Sequence, residues 1–233
     1  MRVRRVELTP RLEAALSMLS GSRTVADIGS DHGRLCAALL QRGVCERVIA
    51  TDISEPSLLK AEQLIRYIGL SDRVTFRVGD GLRVLNPNEC DAIALLGIGG
   101  TLMCEILDAS ETPLCGAASA VLQPMRAQCD IREYLYRHGY HITDDRVVAE
   151  RDRLYQIFRA VPIGTEQPWP DGFPKDFFDV GFVAFVNRDE NLPALCRGQL
   201  FQHEKRLISA KGTEGEGKLS EKIAALRQIL QAF

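Results

Sequence analysis

The chain has 233 residues, 45% of them apolar and 26% charged, with a formal net charge of −2 at neutral pH. That length supports one well-buried domain with a smaller appendage, and the near-neutral balance excludes a polycation that grips nucleic acid by bulk electrostatics. The opening MRVRRVELTPRLEAAL lacks the apolar run of a secretory signal, and no stretch approaches the roughly 18 apolar residues of a membrane span, so the expectation is a cytoplasmic protein without a membrane partner.

Thr9 and Pro10 read as the N-cap and first residue of a helix, and Leu12, Ala15, Leu16 and Leu19 then recur at helical spacing before Gly21. From there β-rich runs at 24–29, 47–52, 73–78, 91–97 and 118–124 alternate with helical patterns at 34–41, 57–68, 101–107 and 129–138. Gly43, Gly69 and Gly139 follow three of those helices as left-handed caps. This alternation predicts an α/β domain with a largely parallel sheet. The runs 141–150 and 153–161 have only a short turn between them, around Asp152, and must form an antiparallel hairpin.

The segment VPIGTEQPWPDGFPK shifts to proline and glycine, which divides the chain into 1–162 and 163–233. Trp169 within it is expected to pin the linker to the domain surface. The tail carries helical patterns at about 190–210 and 217–232. In the second, Leu219, Ile223, Leu226 and Leu230 follow 4-3-4 spacing, which predicts a coiled-coil-like helical hairpin. So short a hairpin must dock on the core, on itself in a dimer, or on a substrate; the oligomeric state is left between monomer and weak dimer. The seven cysteines form no CxxC pair and read as reduced packing residues, and the four histidines are too scattered to suggest a metal site.

Chemistry concentrates where strands end. Asp27-Ile28-Gly29 leads through Ser30-Asp31-His32-Gly33 into a helix, a turn in which backbone amides face a ligand. It departs from the dinucleotide fingerprint, and Asp27 and Asp31 would repel a pyrophosphate but attract a sulfonium cofactor carrying an ammonium group. Asp52 ends the second strand, where a carboxylate can accept two ribose hydroxyls. Asp80, beside Gly81, ends the third, where adenine's exocyclic amine can be read. Either Asp alone can also be a simple turn residue. Gly97-Ile98-Gly99-Gly100 permits close approach of a flat substrate, or forms a tight strand-to-helix turn, and in Gln123-Pro124-Met125-Arg126 the proline stops the strand while the polar groups beside it border the same pocket.

As a set, ADIGSDHG, GDGL, GIGG, LQP followed by IREYL, and Tyr155 in RLYQI resemble the tRNA adenine-22 N1-methyltransferase family over roughly residues 5–160. The resemblance implies a Rossmann-like class I methyltransferase domain, with a seven-stranded mixed sheet closed by an antiparallel last hairpin, plus a small C-terminal helical domain. It implies S-adenosyl-L-methionine as cofactor, tRNA as partner, and methylation of adenine N1 at position 22. It assigns cofactor binding to Asp27, Gly29, Ser30, Asp52, Asp80 and Gly81, a catalytic role to Asp31, and the border of the target base to Gly97, Gly99, Gly100 and Gln123. Arg34 and Arg126 are expected to line the substrate cleft, and Arg2, Arg4, Arg5 and Arg11 to offer a basic surface. Three departures stand out. Met125 replaces the family's Asn, Gly33-Arg34 replaces an aromatic residue, and a tail Gly-Pro-Phe is absent near Phe185. Another RNA position, a small-molecule acceptor, or a cofactor-binding RNA module without catalysis remain alternative readings.

Overall fold

The computed structural model describes residues 5–165 and 168–233. Arg2 and Arg4 lie outside the described residues. Helix α1 (Pro10–Met18) precedes β1 (Thr24–Ile28), α2 (Arg34–Gln41), β2 (Arg47–Asp52), α3 (Glu55–Tyr67) and β3 (Val74–Val78). Next come β4 (Ala92–Ile98), α4 (Gly100–Asp108), β5 (Ser119–Pro124), α5 (Gln128–Arg137) and the hairpin β6 (Tyr140–Glu150) with β7 (Arg153–Pro162). The tail holds a short α6 (Phe182–Val186) and the long pair α7 (Leu192–Ala210) and α8 (Gly215–Gln231).

The seven strands form one sheet in the order β3-β2-β1-β4-β5-β7-β6. β1 to β5 pair in parallel, whereas β7 runs antiparallel to both β5 and β6. The central strands are apolar on both faces because helices cover both, as a parallel sheet requires. Alternation along β4 divides the core: Ile93 and Leu95 face the layer of α4, α5 and the tail, while Ala92 and Ala94 face α1, α2 and α3. Local signals set the boundaries. Helix α3 starts two residues earlier than the apolar pattern alone predicts, because the Ser54 side chain accepts from Ser57 N at 3.4 Å and Pro56 fits the first turn.

Of the three docking options open to the tail, it takes the first. Leu226 and Ile229 on α8 and Leu192 and Cys196 on α7 belong to the same apolar core as Leu95 and Leu122 of the sheet. Trp169 joins them, its ring 5.3 Å from Phe178 and 5.2 Å from Tyr136 of α5, and its Nε1 donates to Phe173 O at 3.2 Å. This aromatic cluster is the pin expected of Trp169. Five of the seven free cysteines, among them Cys36 and Cys196, are buried.

One polar group sits deep in this packing. Arg132 of α5 is fully buried, donating through Nη2 to both carboxylate oxygens of Asp145 on β6, at 2.8 and 3.0 Å, and through Nη1 to Gln156 of β7 at 2.6 Å. Its guanidinium also lies 4.5 Å from the Phe158 ring centroid. Burial pushes the Asp145 carboxyl above its ordinary pKa, and the Arg132 charge opposes that shift. A buried pair of this kind is costly to break from one side, because the survivor is left unpaired. Arg132→Met is therefore expected to cost about 3–5 kcal/mol in urea unfolding. A loss under about 1 kcal/mol would show that the pair carries little of the packing.

Candidate active site

The carboxyl ends of β1 to β4 open on one side of the sheet onto a cleft of about 870 Å³. Open α/β sheets bind ligands along this edge. Asp27, Gly29, Ser30, Asp31, Asp52, Asp80, Gly81, Gly97 and Arg34 all reach the cleft wall. Residues from four strand ends, those of β1 to β4, far apart in sequence, are thus brought together, as the sequence leads one to expect.

The β1 turn is built from an unusual backbone. Gly29 has φ +78° and Asp31 φ +46°, and Gly29 N and Ser30 N both donate to Thr51 O of β2, at 2.8 and 2.9 Å. The space above Gly29 is open, with nothing within 4 Å of where a Cβ would stand. Asp27 lies beneath, 4% exposed, accepting from Cys36 Sγ at 3.1 Å; no cation pairs with it among the described residues. Burial raises its pKa to about 6, against the opposing hydrogen bonds of Cys36 and Ser30. Burial and the neighbouring Asp27 also push the Cys36 thiol upward, so it stays a neutral donor.

Asp52 accepts from Asp31 N at 3.1 Å and from Ser54 N at 2.8 Å, which orients the carboxylate while leaving lone pairs for a ligand. Asp80 is exposed and pairs with Arg83 at 2.6 Å. Asp31 is exposed too, and its Oδ2 lies 2.5 Å from His32 Nδ1, a contact the sequence did not suggest.

On the opposite wall, β4 carries a bulge. Its register with β5 shifts between Leu96 and Ile98, and Gly97 is the extra residue at φ +78°. The Gly97 N–H finds its acceptor in Gln123 Oε1 at 3.2 Å, and Gln123 Nε2 donates to Pro124 O at 3.1 Å. Gln123 is fully buried and does not reach the cleft. Its side chain supports the bulge from behind. Gly99, Gly100 and Arg126 likewise lie off the cleft wall. Gly100 is needed for close approach, since a Cβ there would collide with Ala127 O in the loop before α5. The wall instead includes Thr9, Arg11 and Leu12 from the N-terminal segment, with Ile53, Leu102 and Met125. Their signal in sequence is weak, because nothing about α1 shows that its first turn folds back over the strand ends.

Residues 8–158 match the family model described as a methyltransferase domain. A curated relative, the tRNA (adenine(22)-N(1))-methyltransferase of Bacillus subtilis, is 34% identical over 156 residues, covering 66% of this chain and 65% of its own. The chain therefore aligns with just under two thirds of that relative. The fold extends further. The crystal structure of the B. subtilis m1A22 tRNA methyltransferase superposes with a TM-score of 0.82 at 24% identity, covering 97% of this chain and 100% of that one. A Streptococcus pneumoniae protein described as a putative tRNA (m1A22) methyltransferase, solved with S-adenosyl-L-methionine, gives 0.81 at 24% identity over 96% and 100%.

The isolated Asp27 carboxyl has a measurable consequence. Its folded-state pKa of about 6 lies above the ordinary 3.8 of an aspartate, so the folded chain holds an extra proton between those values, and stability falls as pH rises through that window. Asp27→Asn removes the penalty. The ligand-free variant should be more stable than the parent to urea at pH 8, by up to about 3 kcal/mol, with the gap closing towards pH 4. A gap that is independent of pH would mean that the carboxyl is not held at a raised pKa.

Proposed function

Because this chain belongs to the methyltransferase-domain family, we propose that it transfers a methyl group from S-adenosylmethionine to N1 of adenine 22 in tRNA. The observation that carries this reading is the convergence of Asp27, Asp52, Asp80 and the open turn at Gly29 on a single cleft facing the Gly97 bulge. A tRNA substrate is consistent with a cytoplasmic protein, and no helix among the described residues is long and apolar enough to cross a membrane.

The donor set fits the cofactor. A buried carboxylate without a cationic partner is an unfavourable arrangement that an ammonium group relieves, and Asp27 has no such partner among the described residues. Asp52 has acceptor capacity for ribose hydroxyls, and Asp80 with Gly81 borders the place for an adenine ring. When bound, S-adenosylmethionine supplies an electrophilic methyl group on a sulfonium.

The protein's own contribution is largely positional. Adenine N1 carries a free lone pair at neutral pH, so its attack on the methyl group needs no obligatory general base. N1 lies on the Watson–Crick edge, so the base must be unpaired and turned out of its stack to reach the cleft. Asp31 stands at the mouth of the cofactor turn, its Oδ2 against His32 Nδ1. Its carboxylate accepts from the exocyclic amine and favours the positive charge that the methylated ring acquires.

Met125 favours a second reading. It is 42% exposed on the cleft wall, where the family resemblance expects Asn, and a thioether in place of that amide's donor and acceptor favours another RNA position or a small-molecule acceptor. Product analysis separates the two. Incubation with S-adenosylmethionine and unmodified tRNA should yield 1-methyladenosine that disappears when adenine 22 is replaced; product that persists after the replacement supports the other position.

Two variants test the residue roles. Asp31→Asn should keep cofactor affinity within about twofold while kcat falls by roughly 10²-fold or more. Unchanged kcat removes Asp31 from the chemistry. Cofactor affinity of the parent should weaken as pH falls below about 6, because Asp27 then takes up a proton. In Asp27→Asn, isothermal calorimetry should give weaker binding without that pH dependence.

A further inference from the structure

Arg11, like Arg34, is a cleft-wall cation that the proposed reaction does not yet use, and its setting is the more constrained. It sits in the first turn of α1, half-buried, with its backbone N–H donating to Glu150 Oε2 of β6 at 3.1 Å. Its Nη1 donates to Gln123 Oε1, and its guanidinium carbon lies 5.2 Å from the centroid of the Tyr155 ring. Met125 Sδ is 4.0 Å from the same Nη1, and a Cβ on Gly97 would stand 3.6 Å from it. The guanidinium is thus held by the residues that shape the acceptor wall, and Arg11 itself reaches the cleft.

What it lacks is a carboxylate in contact: against burial, Glu150 is held below its ordinary pKa by the Thr9 side chain, the Arg11 backbone N–H and the Arg11 charge, but it takes no hydrogen bond from the guanidinium. Among the described residues no carboxylate lies within ion-pair distance of the guanidinium, and Nε is buried without a hydrogen-bond partner. Other arginines here are neutralised: Arg42 by Glu13, Arg77 by Glu89, Arg132 by Asp145. A guanidinium fixed by a neutral amide and a ring, with Nε buried and Nη2 unpaired among the described residues beside a ligand cleft, is organised to receive an anion through its Nη edge, and Arg suits a phosphate because its charge and donors match the oxygens.

Resting on the reading of the cleft as an RNA methylation site, we infer that Arg11 binds the phosphodiester flanking the target adenine, with Gln123 and Tyr155 as its fixed support. Arg11 then links two tasks. The same Gln123 oxygen that accepts from Arg11 also satisfies the Gly97 bulge, so the strand phosphate and the acceptor wall share one anchor.

Steady-state kinetics with unmodified tRNA over a range of salt concentrations provide the test. Arg11→Gln should leave cofactor affinity within about twofold, raise KM for tRNA roughly tenfold, and make the slope of log kcat/KM against log salt shallower by about one. Arg11→Lys, which keeps the charge, should restore the slope while recovering only part of KM. A fall in kcat alone, with the parent's salt slope, would mean that Arg11 merely props Gln123 and would overturn the inference. A second measurement needs no variant: for the parent protein, a methylphosphonate linkage flanking adenine 22 should raise KM by a similar factor. Methylation that is indifferent to that neutral linkage sinks the role of Arg11 alone, whereas absence of any 1-methyladenosine from the natural linkage sinks the functional reading and this inference with it.

Discussion

The position of α5 depends on one buried ion pair. Arg132 ties that helix to Asp145 and Gln156 on the last two strands, and those strands close the sheet against β5. Because Gln156 Nε2 also donates to Asp179 O at 3.3 Å, and Lys222 of α8 pairs with Asp179 at 2.8 Å, the same polar chain runs into the tail. At the other end of α5, Ala127 presses against Gly100 at the start of α4 and so sets where the β4 bulge and its glycines stand. The acceptor wall is therefore positioned from behind by a group that never meets a ligand.

The opposite wall follows a different logic. Asp27 occupies the end of the central strand with almost no exposure and, among the described residues, no positive partner, an arrangement that lowers the stability of the free chain. Such a residue makes sense as an investment in binding: the environment that raises its pKa also strengthens its attraction for a cation. Cys36 and the Ser30 turn moderate the cost without removing it.

Much of this was legible in sequence because strand and helix periods differ and because glycines punctuate them. All five parallel strands and the closing hairpin fall where the apolar runs place them, and Asp27, Asp52 and Asp80 were identifiable as strand-end carboxylates. What escaped depended on tertiary contacts. Gln123 reads like a cleft residue, since it sits at a strand end beside Pro124, but the bulge at Gly97 claims its side chain. Arg11 reads like one of several surface arginines, and only the packing of α1 against β6 and β7 turns it inward. The short α6 escaped because FVAFV is only five residues long and apolar throughout, which leaves no helical period to read.

The continuity of the apolar core into the tail has a mechanical corollary. Leu192, Leu226 and Ile229 are fully buried in the same packing as the sheet, so α7 and α8 are not a free arm that can swing to embrace a large substrate. On the proposed reading of an RNA substrate, a stiff receptor shifts the deformation that productive docking requires onto the nucleic acid, and selectivity would come partly from how cheaply an RNA yields its adenine: one in a loop or a weakened pair costs little to extrude, whereas one stacked in a continuous helix must first surrender its pairing and stacking energy.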